Sequence, residues 1–171
     1  MSHATCLSPL GPLTVTADDG AIVALNWGEA ACGLLNPLVR TAVDELDAYF
    51  EGGLRHFSVA LKPAGTAFQR RVWALIAAIP FGETRSYAVL AAELGSGPRA
   101  VARACAANPI PVLIPCHRVI GADGSLTGYS GGSGLDTKAW LLRHEGAAVT
   151  VPSRSTPARK GHAHAARTCS L

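Results

Sequence analysis

The segment Lys62-Pro63-Ala64-Gly65 separates two different hydrophobic patterns, and it limits the possible folds more than any other feature of the chain. Strand-like alternation and one helical stretch precede it, whereas apolar residues after it recur mainly at helical spacing. A chain of 171 residues can form one domain or two small ones. We predict a small α/β domain over 1–63, a mainly helical domain over 64–150 and a disordered basic tail over 151–171.

The first domain shows the pattern of a hairpin, a helix and one more strand. Residues 12–27 alternate between apolar and polar side chains on both sides of Asp18-Asp19-Gly20, which predicts a β-hairpin. Helical spacing over 38–50 predicts a helix, and alternation over 56–61 predicts a short strand.

The second domain begins with three predicted helices. Thr66 and Gln69 form a capping-box pattern at the start of the first helix. Ser86 is placed to cap a second, short helix, and a third is predicted over about 98–107. Two short helices joined by a tight glycine-containing turn are typical of a helix-turn-helix motif. An ordinary helical hairpin has the same pattern, so both interpretations stay open at this point.

The third predicted helix has an unusual composition. Arg99, Arg103 and Ala106 share one face, and Ala102 is also small. A slim surface with isolated guanidinium groups suits close approach to a nucleic-acid groove and its phosphates. A solvated, alanine-rich helix is the alternative.

The end of the second domain is predicted to contain a hairpin, a loop and a helix. Residues 119–127 suggest a small hairpin, and the Gly- and Ser-rich stretch 128–134 suggests a loop. A last helix is predicted from about Thr137 to Glu145, with Asp136 as its N-terminal cap.

Charge is distributed unevenly along the chain. The net charge is +3, but residues 152–171 alone carry four basic side chains and no acid. Residues 1–63 carry three basic and seven acidic side chains, and residues 64–151 carry eight and five. An anionic partner is therefore expected on the second domain.

The composition is that of a globular protein without a membrane span. Hydrophobic residues make up 49% of the chain, and no apolar run approaches the roughly 20 residues that a span needs. The N-terminus lacks the pattern of a secretory signal, so a cytoplasmic location is expected. Five irregularly spaced cysteines argue against a disulfide framework, and we expect no metal site and no cofactor.

Residues 108–120 carry the strongest indication of chemistry. This apolar, proline-rich segment places Cys116 next to His117 and Arg118 in what should be a packed interior. A buried cysteine is usually inert. A neighbouring base or positive charge, however, favours the nucleophilic thiolate.

Those residues, together with several other motifs, resemble the O6-alkylguanine-DNA alkyltransferases, also called methylated-DNA–protein-cysteine methyltransferases. Pro115-Cys116-His117-Arg118-Val119 matches the active-site motif of that family. Further matches occur in family order across about residues 7–146: Ser8-Pro9-Leu10-Gly11-Pro12-Leu13 as the opening strand, Phe68-Gln69-x-x-Val72-Trp73, Pro80-Phe81-Gly82-Glu83-Thr84-x-Ser86-Tyr87, Arg99-Ala100-Val101, Asn108-Pro109, Thr127-Gly128-Tyr129 and Trp140-Leu141-Leu142-x-His144-Glu145-Gly146.

The resemblance implies a fold, an activity and a set of catalytic residues. The fold would be a ribonuclease H-like α/β domain beside a mainly α domain with a winged-helix-like helix-turn-helix. The activity would be direct-reversal DNA repair, in which the alkyl group of O6-alkylguanine is transferred irreversibly to Cys116. His117 would activate the thiol through a water, and Glu145 would orient His117. Tyr87 would donate a proton to the departing guanine, and Asn108 would brace the turn around Cys116.

The resemblance also implies how the DNA is bound. The protein would act as a monomer and bind double-stranded DNA through the minor groove, with the damaged nucleotide rotated out of the helix. Arg99 would enter the duplex in its place. Ser130, the carbonyls of Cys116 and Val119, and Tyr129 would surround the base. The remaining positions implied to face DNA or substrate are Ser86, Ala100, Arg103, Pro111 and Arg118.

Two departures and three alternatives accompany this interpretation. The loop Ser130–Leu135 is about two residues longer than the family pattern, and Arg103 and Cys105 differ from many relatives. A lesion-binding relative without activity would lack Cys116. A helix-turn-helix regulator leaves the Cys-His pair and Glu145 unexplained, and a cysteine hydrolase would turn over repeatedly.

Overall fold

The computed structural model describes residues 1–30, 33 and 36–148. Within them lie a three-stranded sheet, a two-stranded sheet and five α-helices. The predictions for the tail 151–171, and any role of Cys32 or Cys169, fall outside the described residues.

The first domain is a meander covered by one helix. Strands β1 (Ser2–Ser8), β2 (Gly11–Asp18) and β3 (Ala21–Trp27) are antiparallel and adjacent in that order. Helix α1 (Pro37–Phe50) packs across the sheet, and its N-terminus is capped by Asn36, whose side chain accepts from the Val39 N–H at 2.8 Å. The predicted hairpin and helix are therefore confirmed.

The structure corrects two strand predictions in this domain. The segment Ser8–Leu13, expected to be the opening strand, is divided between two strands: Ser8 ends β1, Pro9 and Leu10 form the turn, and Gly11 begins β2. Residues 56–61 form no strand; only Leu61 bridges to Ile22. The outer edge of β3 has little room for a longer partner, because the Leu25 N–H already donates to the Pro109 carbonyl of the second domain at 2.9 Å.

Three helices open the second domain as predicted. Helix α2 (Ala67–Ala77) begins with a complete capping box between Thr66 and Gln69. Helices α3 (Tyr87–Leu94) and α4 (Pro98–Ala106) pack against each other and form the predicted helix-turn-helix. The turn needs a glycine, because Gly95 ends α3 in the left-handed conformation, with φ 61°.

The predicted hairpin over 119–127 was wrong. Strand β5 (Val119–Ile120) instead pairs in parallel with β4 (Arg85–Ser86), just before α3. Ser125 turns back so that its carbonyl accepts from the Gly121 N–H at 2.8 Å, which leaves no second strand. The 3-10 helix Cys116–Arg118 contains the Cys-His pair and leads directly into β5. Because β5 pairs with β4, the Cys-His pair is connected to the start of the helix-turn-helix.

The last helix, α5 (Leu135–His144), begins earlier than predicted. Gly134 stands at its N-terminal cap without a side-chain hydrogen bond, so the prediction of Asp136 as the cap was wrong. Asp136 lies in the first turn, where its negative charge interacts favourably with the positive end of the helix dipole.

A continuous apolar core joins the two domains. It includes buried side chains from the sheet, from α1 and from the second-domain helices, among them Leu13, Ile22, Leu46, Trp73 and Leu141. None of the helices in the described part of the chain has the length and hydropathy that crossing a membrane requires.

Candidate active site

The segment after α4 is folded around Asn108. The Asn108 amide donates to the Ile114 carbonyl at 2.8 Å and to the Cys116 Sγ at 3.3 Å, and its oxygen accepts from the Ile110 N–H at 3.0 Å. The tight turn between them holds Val112 at φ 73°, a strained conformation for a β-branched residue. One amide side chain therefore fixes both the turn and the thiol.

Cys116 is a buried thiol with polar neighbours. It is 6% exposed, and burial raises its pKa, whereas the Asn108 hydrogen bond and the nearby Lys138 charge act in the opposite direction. Because burial is the larger effect, the thiol remains protonated at neutral pH. A nucleophilic role for Cys116 then requires a base.

His117 has the properties of such a base. It is fully buried, and burial lowers its pKa although the bond to Glu145 raises it, so the imidazole stays neutral at neutral pH. Its Nε2–H donates to Glu145 Oε1 at 2.7 Å, which leaves a lone pair on Nδ1. Nδ1 is buried without a hydrogen-bond partner among the described residues. It is the nitrogen that can accept a proton.

Glu145 receives hydrogen bonds from several directions. Besides His117, the Tyr49 hydroxyl donates to it at 2.7 Å, the Arg118 guanidinium at 2.8 and 3.0 Å, and the Gly82 N–H at 3.3 Å. Burial by itself would raise the pKa of Glu145, but the hydrogen bonds from His117, Arg118 and Tyr49 hold it well below its ordinary value. The carboxylate is therefore a fixed negative charge that orients the imidazole.

Arg118, a predicted contact with DNA or substrate, is turned into the interior of the protein. Arg118 is only 6% exposed, and its guanidinium is occupied by Glu145 and by the Ile79 carbonyl at 2.6 Å. A buried guanidinium needs a carboxylate partner, and Glu145 supplies it. Arg118 therefore stabilises the interior of the site.

Lys138, which sequence reasoning missed, lies on the other side of the site. It is completely buried, and its ammonium donates to the carbonyls of Val119 and Thr127 and lies 3.5 Å from the Tyr87 hydroxyl. Burial lowers its pKa to about 8, while the thiols of Cys116 and Cys105 raise it. A helical stripe could have revealed it, because Lys138, Leu141, Leu142 and Glu145 recur at i, i+3, i+4 and i+7.

Tyr87 is held between Thr127 and Lys138. Its hydroxyl donates to the Thr127 carbonyl at 3.0 Å, and burial, followed by the nearby thiols, raises its pKa. The phenol therefore keeps its proton at neutral pH and remains a hydrogen-bond donor.

A cavity of about 240 Å³ opens beside Cys116. Its walls come from α4, from the Asn108 turn, from the loop after β5 and, unexpectedly, from β3 of the first domain. The predicted site residues among them are Cys116, Asn108, Pro111, Tyr129 and Ser130, and the others include Cys105, Leu25, Asn26, Trp27 and Gly132. Cys105 is a second free thiol in this cavity, but burial first, and then the neighbouring Cys116, raises its pKa to about 12.

Four of the remaining predicted DNA-facing residues lie on the helix-turn-helix, and the fifth, Val119, lies on β5. Arg99 and Arg103 are exposed on α4, opposite its buried face, and Ala100 is partly buried. Ser86 caps α3, where its hydroxyl accepts from the Val89 N–H at 3.2 Å. Val119 is fully buried, so that only its backbone can reach a ligand. These five residues stay predicted contacts.

In the described part of the chain, no three His, Cys, Asp or Glu side chains are grouped so that they could hold a metal ion.

Both domains are similar to known family models. Residues 1–63 match the ribonuclease-like domain of 6-O-methylguanine DNA methyltransferase, and residues 67–147 match the DNA-binding domain of the same family.

Individual relatives are similar over nearly their whole length. A methylated-DNA–protein-cysteine methyltransferase of Methanosarcina acetivorans is 42% identical over 156 residues, which are 85% of this chain and 99% of the relative. Among solved structures, the O6-methylguanine methyltransferase of Mycobacterium tuberculosis is 42% identical with a TM-score of 0.75, covering 85% of this chain and 92% of that one.

A further crystal structure is that of the Mycobacterium tuberculosis protein named OGT in complex with DNA. It is 43% identical with a TM-score of 0.77, and the match covers 85% of this chain and 93% of that one. By its fold, by both family models and by these relatives, this chain belongs to the family of the methylated-DNA–protein-cysteine methyltransferases.

Proposed function

We propose that this protein repairs O6-alkylguanine in DNA by transferring the alkyl group to Cys116, once per molecule. The observation that carries the proposal is the buried Cys116 thiol at the wall of a cavity, beside a neutral His117 that is bound to a Glu145 carboxylate. The family reverses alkylation damage directly, and the arrangement provides the nucleophile, base and orienting group that such a transfer needs.

The transfer begins with removal of the thiol proton. His117 Nδ1 takes the proton of Cys116 through a bridging water, and Glu145 stabilises the resulting imidazolium. The thiolate then attacks the alkyl carbon in a single displacement. The new S–C bond forms while the C–O6 bond breaks, and its electron pair goes to the guanine. The thioether is stable, so the protein is consumed.

The departing guanine must receive a proton. Tyr87 is proposed to donate it, and the Lys138 ammonium, 3.5 Å from the phenol oxygen, would stabilise the phenolate that forms. The raised pKa of Tyr87 makes this electrostatic help necessary, since a free phenolate would be costly in a buried site. Lys138 also holds the Val119 carbonyl, which is proposed to contact the base edge together with the Cys116 carbonyl and Ser130.

The base can reach Cys116 only outside the duplex. We propose that the helix-turn-helix binds the minor groove and that the damaged nucleotide rotates by roughly 180° into the cavity. Unstacking costs a few kcal/mol and is cheaper for a mispaired base. The exposed Arg99 would fill the gap in the stack, Arg103 would contact a phosphate, and Tyr129 would line the pocket around the base. Ser86 and Ala100, on the same surface, would lie against the backbone.

The reaction is proposed to need only a monomer, since Cys116, His117, Glu145 and the cavity residues named above belong to one chain. We also propose a cytoplasmic location, where the protein would meet a DNA substrate.

The decisive experiment is to incubate the protein with a short duplex that contains one O6-methylguanine, followed by intact mass and peptide mapping. We expect a gain of one methyl group per molecule on Cys116, and no gain for Cys116→Ala. Binding of the duplex without any mass change would favour a lesion-binding or regulatory role. Repeated turnover of an ester or amide would indicate a hydrolase.

A further inference from the structure

Trp27 connects the first domain to the cavity. It is the last residue of β3, where it pairs with Leu13. Two hydrogen bonds made by the backbone of the next residue, Gly28, fix the end of the strand. The Gly28 N–H donates to the Pro12 carbonyl at 2.9 Å, and the Gly28 carbonyl accepts from the Thr14 hydroxyl at 2.8 Å. The indole therefore projects from a rigid support and forms part of the cavity wall.

The pyrrole edge of Trp27 lies directly on the backbone of Gly132. A Cβ built on Gly132 would overlap the indole Nε1, and it would come within 2.8 Å of the indole Cδ1 and 2.7 Å of the Thr137 Oγ1. Gly132 also has a φ of +53°, which favours glycine. The indole Nε1 is buried and finds no acceptor among the described residues. The close approach thus leaves a polar group unsatisfied, which is unusual in a structure selected for stability alone.

Gly132 lies in the middle of residues 130–134, which we call the cavity loop. Its far end is tied to α5, because the Ser133 N–H donates to the Thr137 hydroxyl at 2.9 Å. Its near end carries Ser130 and follows Tyr129, both of which line the cavity. Trp27 of the first domain supports the middle of this loop, within the segment that is longer than the family pattern.

We propose that Trp27 is a positioning residue for alkyl transfer, which holds the cavity loop so that Ser130 and Tyr129 face the base. The inference rests on the proposed function. Small displacements of groups that orient a substrate lower the rate of the chemical step strongly. DNA affinity, by contrast, depends on the exposed face of α4, which the Trp27 contact does not involve.

The test is a double-mutant cycle of Trp27→Ala and Gly132→Ala. Single-turnover methyl transfer is measured over a range of concentrations of duplex bearing O6-methylguanine, which separates the maximal rate constant from the half-saturating concentration. We expect Trp27→Ala to lower the maximal rate constant by about tenfold or more and to leave half-saturation unchanged. Gly132→Ala should lower it as well, since its methyl group collides with the indole.

Coupling distinguishes this role from a general loss of stability. The further loss caused by Gly132→Ala should be at least about threefold smaller in the Trp27→Ala background, because the collision with the indole is removed there. The close contact of the new methyl group with the Thr137 Oγ1 and the strain at φ +53° affect both backgrounds equally. Trp27→Phe keeps a ring against the loop and should retain most of the rate. Should Trp27→Ala fail to fold, the cycle is completed with Trp27→Phe, whose ring lacks the Nε1 edge.

Leu7→Ala is the matched control, because Leu7 is exposed on the same sheet, at β1, away from the loop. Additive effects of the two substitutions, or an unchanged maximal rate constant in Trp27→Ala, would overturn the inference while the proposed function stands. If the wild-type protein and Leu7→Ala transfer no methyl group, the proposed function fails and the inference fails with it.

Discussion

At the scale of single residues, the site separates two charges of opposite sign on the two sides of Cys116. The Glu145 carboxylate lies behind His117, where the proton of the thiol is to be accepted. The Lys138 ammonium lies behind Tyr87, where a proton is to be given to the base. Both charged groups are buried and fully hydrogen-bonded, so neither needs to reorganise during the transfer.

Lys138 predicts a pH dependence for the transfer step. Its pKa of about 8 means that the ammonium is present below that pH and is lost as the pH rises through it. The groups that act on it are the Tyr87 phenol and the thiols of Cys116 and Cys105. At lower pH the limit is set by His117, whose pKa lies below its ordinary value and which must be neutral to act as a base. The single-turnover rate constant should therefore stay level near neutrality and fall above about pH 8.

Two variants identify the residue responsible for the fall. Lys138→Met should lower the rate constant near neutrality and remove its decrease above pH 8, because the titrating ammonium is absent. Lys138→Arg should remove the decrease as well, because arginine keeps its positive charge at every accessible pH. The measurement is single-turnover transfer across about pH 6 to 9, with folding monitored by circular dichroism. Persistence of the same fall in Lys138→Met would exclude Lys138 as the titrating group.

At the scale of elements, α4 divides its residues between two surfaces. Val101, Ala104 and Cys105 are buried, while Arg99, Arg103 and Ala106 are exposed. On the buried face, the Ala104 carbonyl accepts a hydrogen bond from the Trp73 indole N–H at 2.8 Å, which fixes α4 against α2. The exposed arginines are therefore presented by a helix whose position is set from within the core.

The two arginines of α4 should affect repair differently. Arg103→Ala should weaken binding to damaged and undamaged duplex about equally and reduce the salt slope of binding by about one, as expected for a phosphate contact. Arg99→Ala should slow transfer from duplex DNA by about tenfold or more, since unstacking of the nucleotide is no longer compensated.

A single-stranded oligonucleotide provides the comparison for Arg99, because it has no partner strand from which the base must be displaced. On that substrate, Arg99→Ala should lower the single-turnover rate constant of transfer by a smaller factor than it does on duplex DNA. An equal deficit on single-stranded and duplex DNA would argue against insertion of Arg99 into the stack.

At the scale of the whole molecule, the first domain takes part in the site as well as in the core. The Tyr49 hydroxyl of α1 donates to Glu145, and the Tyr49 carbonyl accepts from His144 at 2.7 Å. On the other side, Leu25 of β3 is bound to Pro109, next to the Asn108 turn. The two domains are thus joined by hydrogen bonds at the catalytic groups themselves.

Tyr49→Phe tests this connection with almost no change of shape. Loss of a buried hydrogen bond to a carboxylate should lower the free energy of unfolding by about 1–3 kcal/mol. Glu145 stabilises the fold above its unfolded pKa, and that contribution is lost as the pH falls through its folded pKa. Because the variant lacks one donor, the folded pKa of Glu145 rises and acid unfolding should occur at a higher pH. Urea and acid titrations measure both effects; coincident curves would show that the bond contributes nothing.

The features that depend on near neighbours could be predicted from the sequence. Thr66, Ser86 and Gly95 mark helix ends because caps act within three or four residues, and the structure has all three where the sequence predicts them. The Cys116-His117 pair and the family motifs around it are likewise contiguous, so the family could be identified before any coordinates. The opposite faces of α4 follow from helical periodicity alone.

Contacts between groups that are far apart in the chain depend on the complete fold. Tyr49 and Glu145 are 96 positions apart, and no local pattern predicts that a helix of the first domain supplies a donor to the site. Arg118 points inward because Glu145 needs its charge, and residues 56–61 form no strand because the edge of β3 is shared with Pro109. Lys138 is buried because three oxygen atoms converge on its ammonium. Burial and pairing of charge depend on the whole arrangement, since a buried charge is stable only where the fold brings its partners.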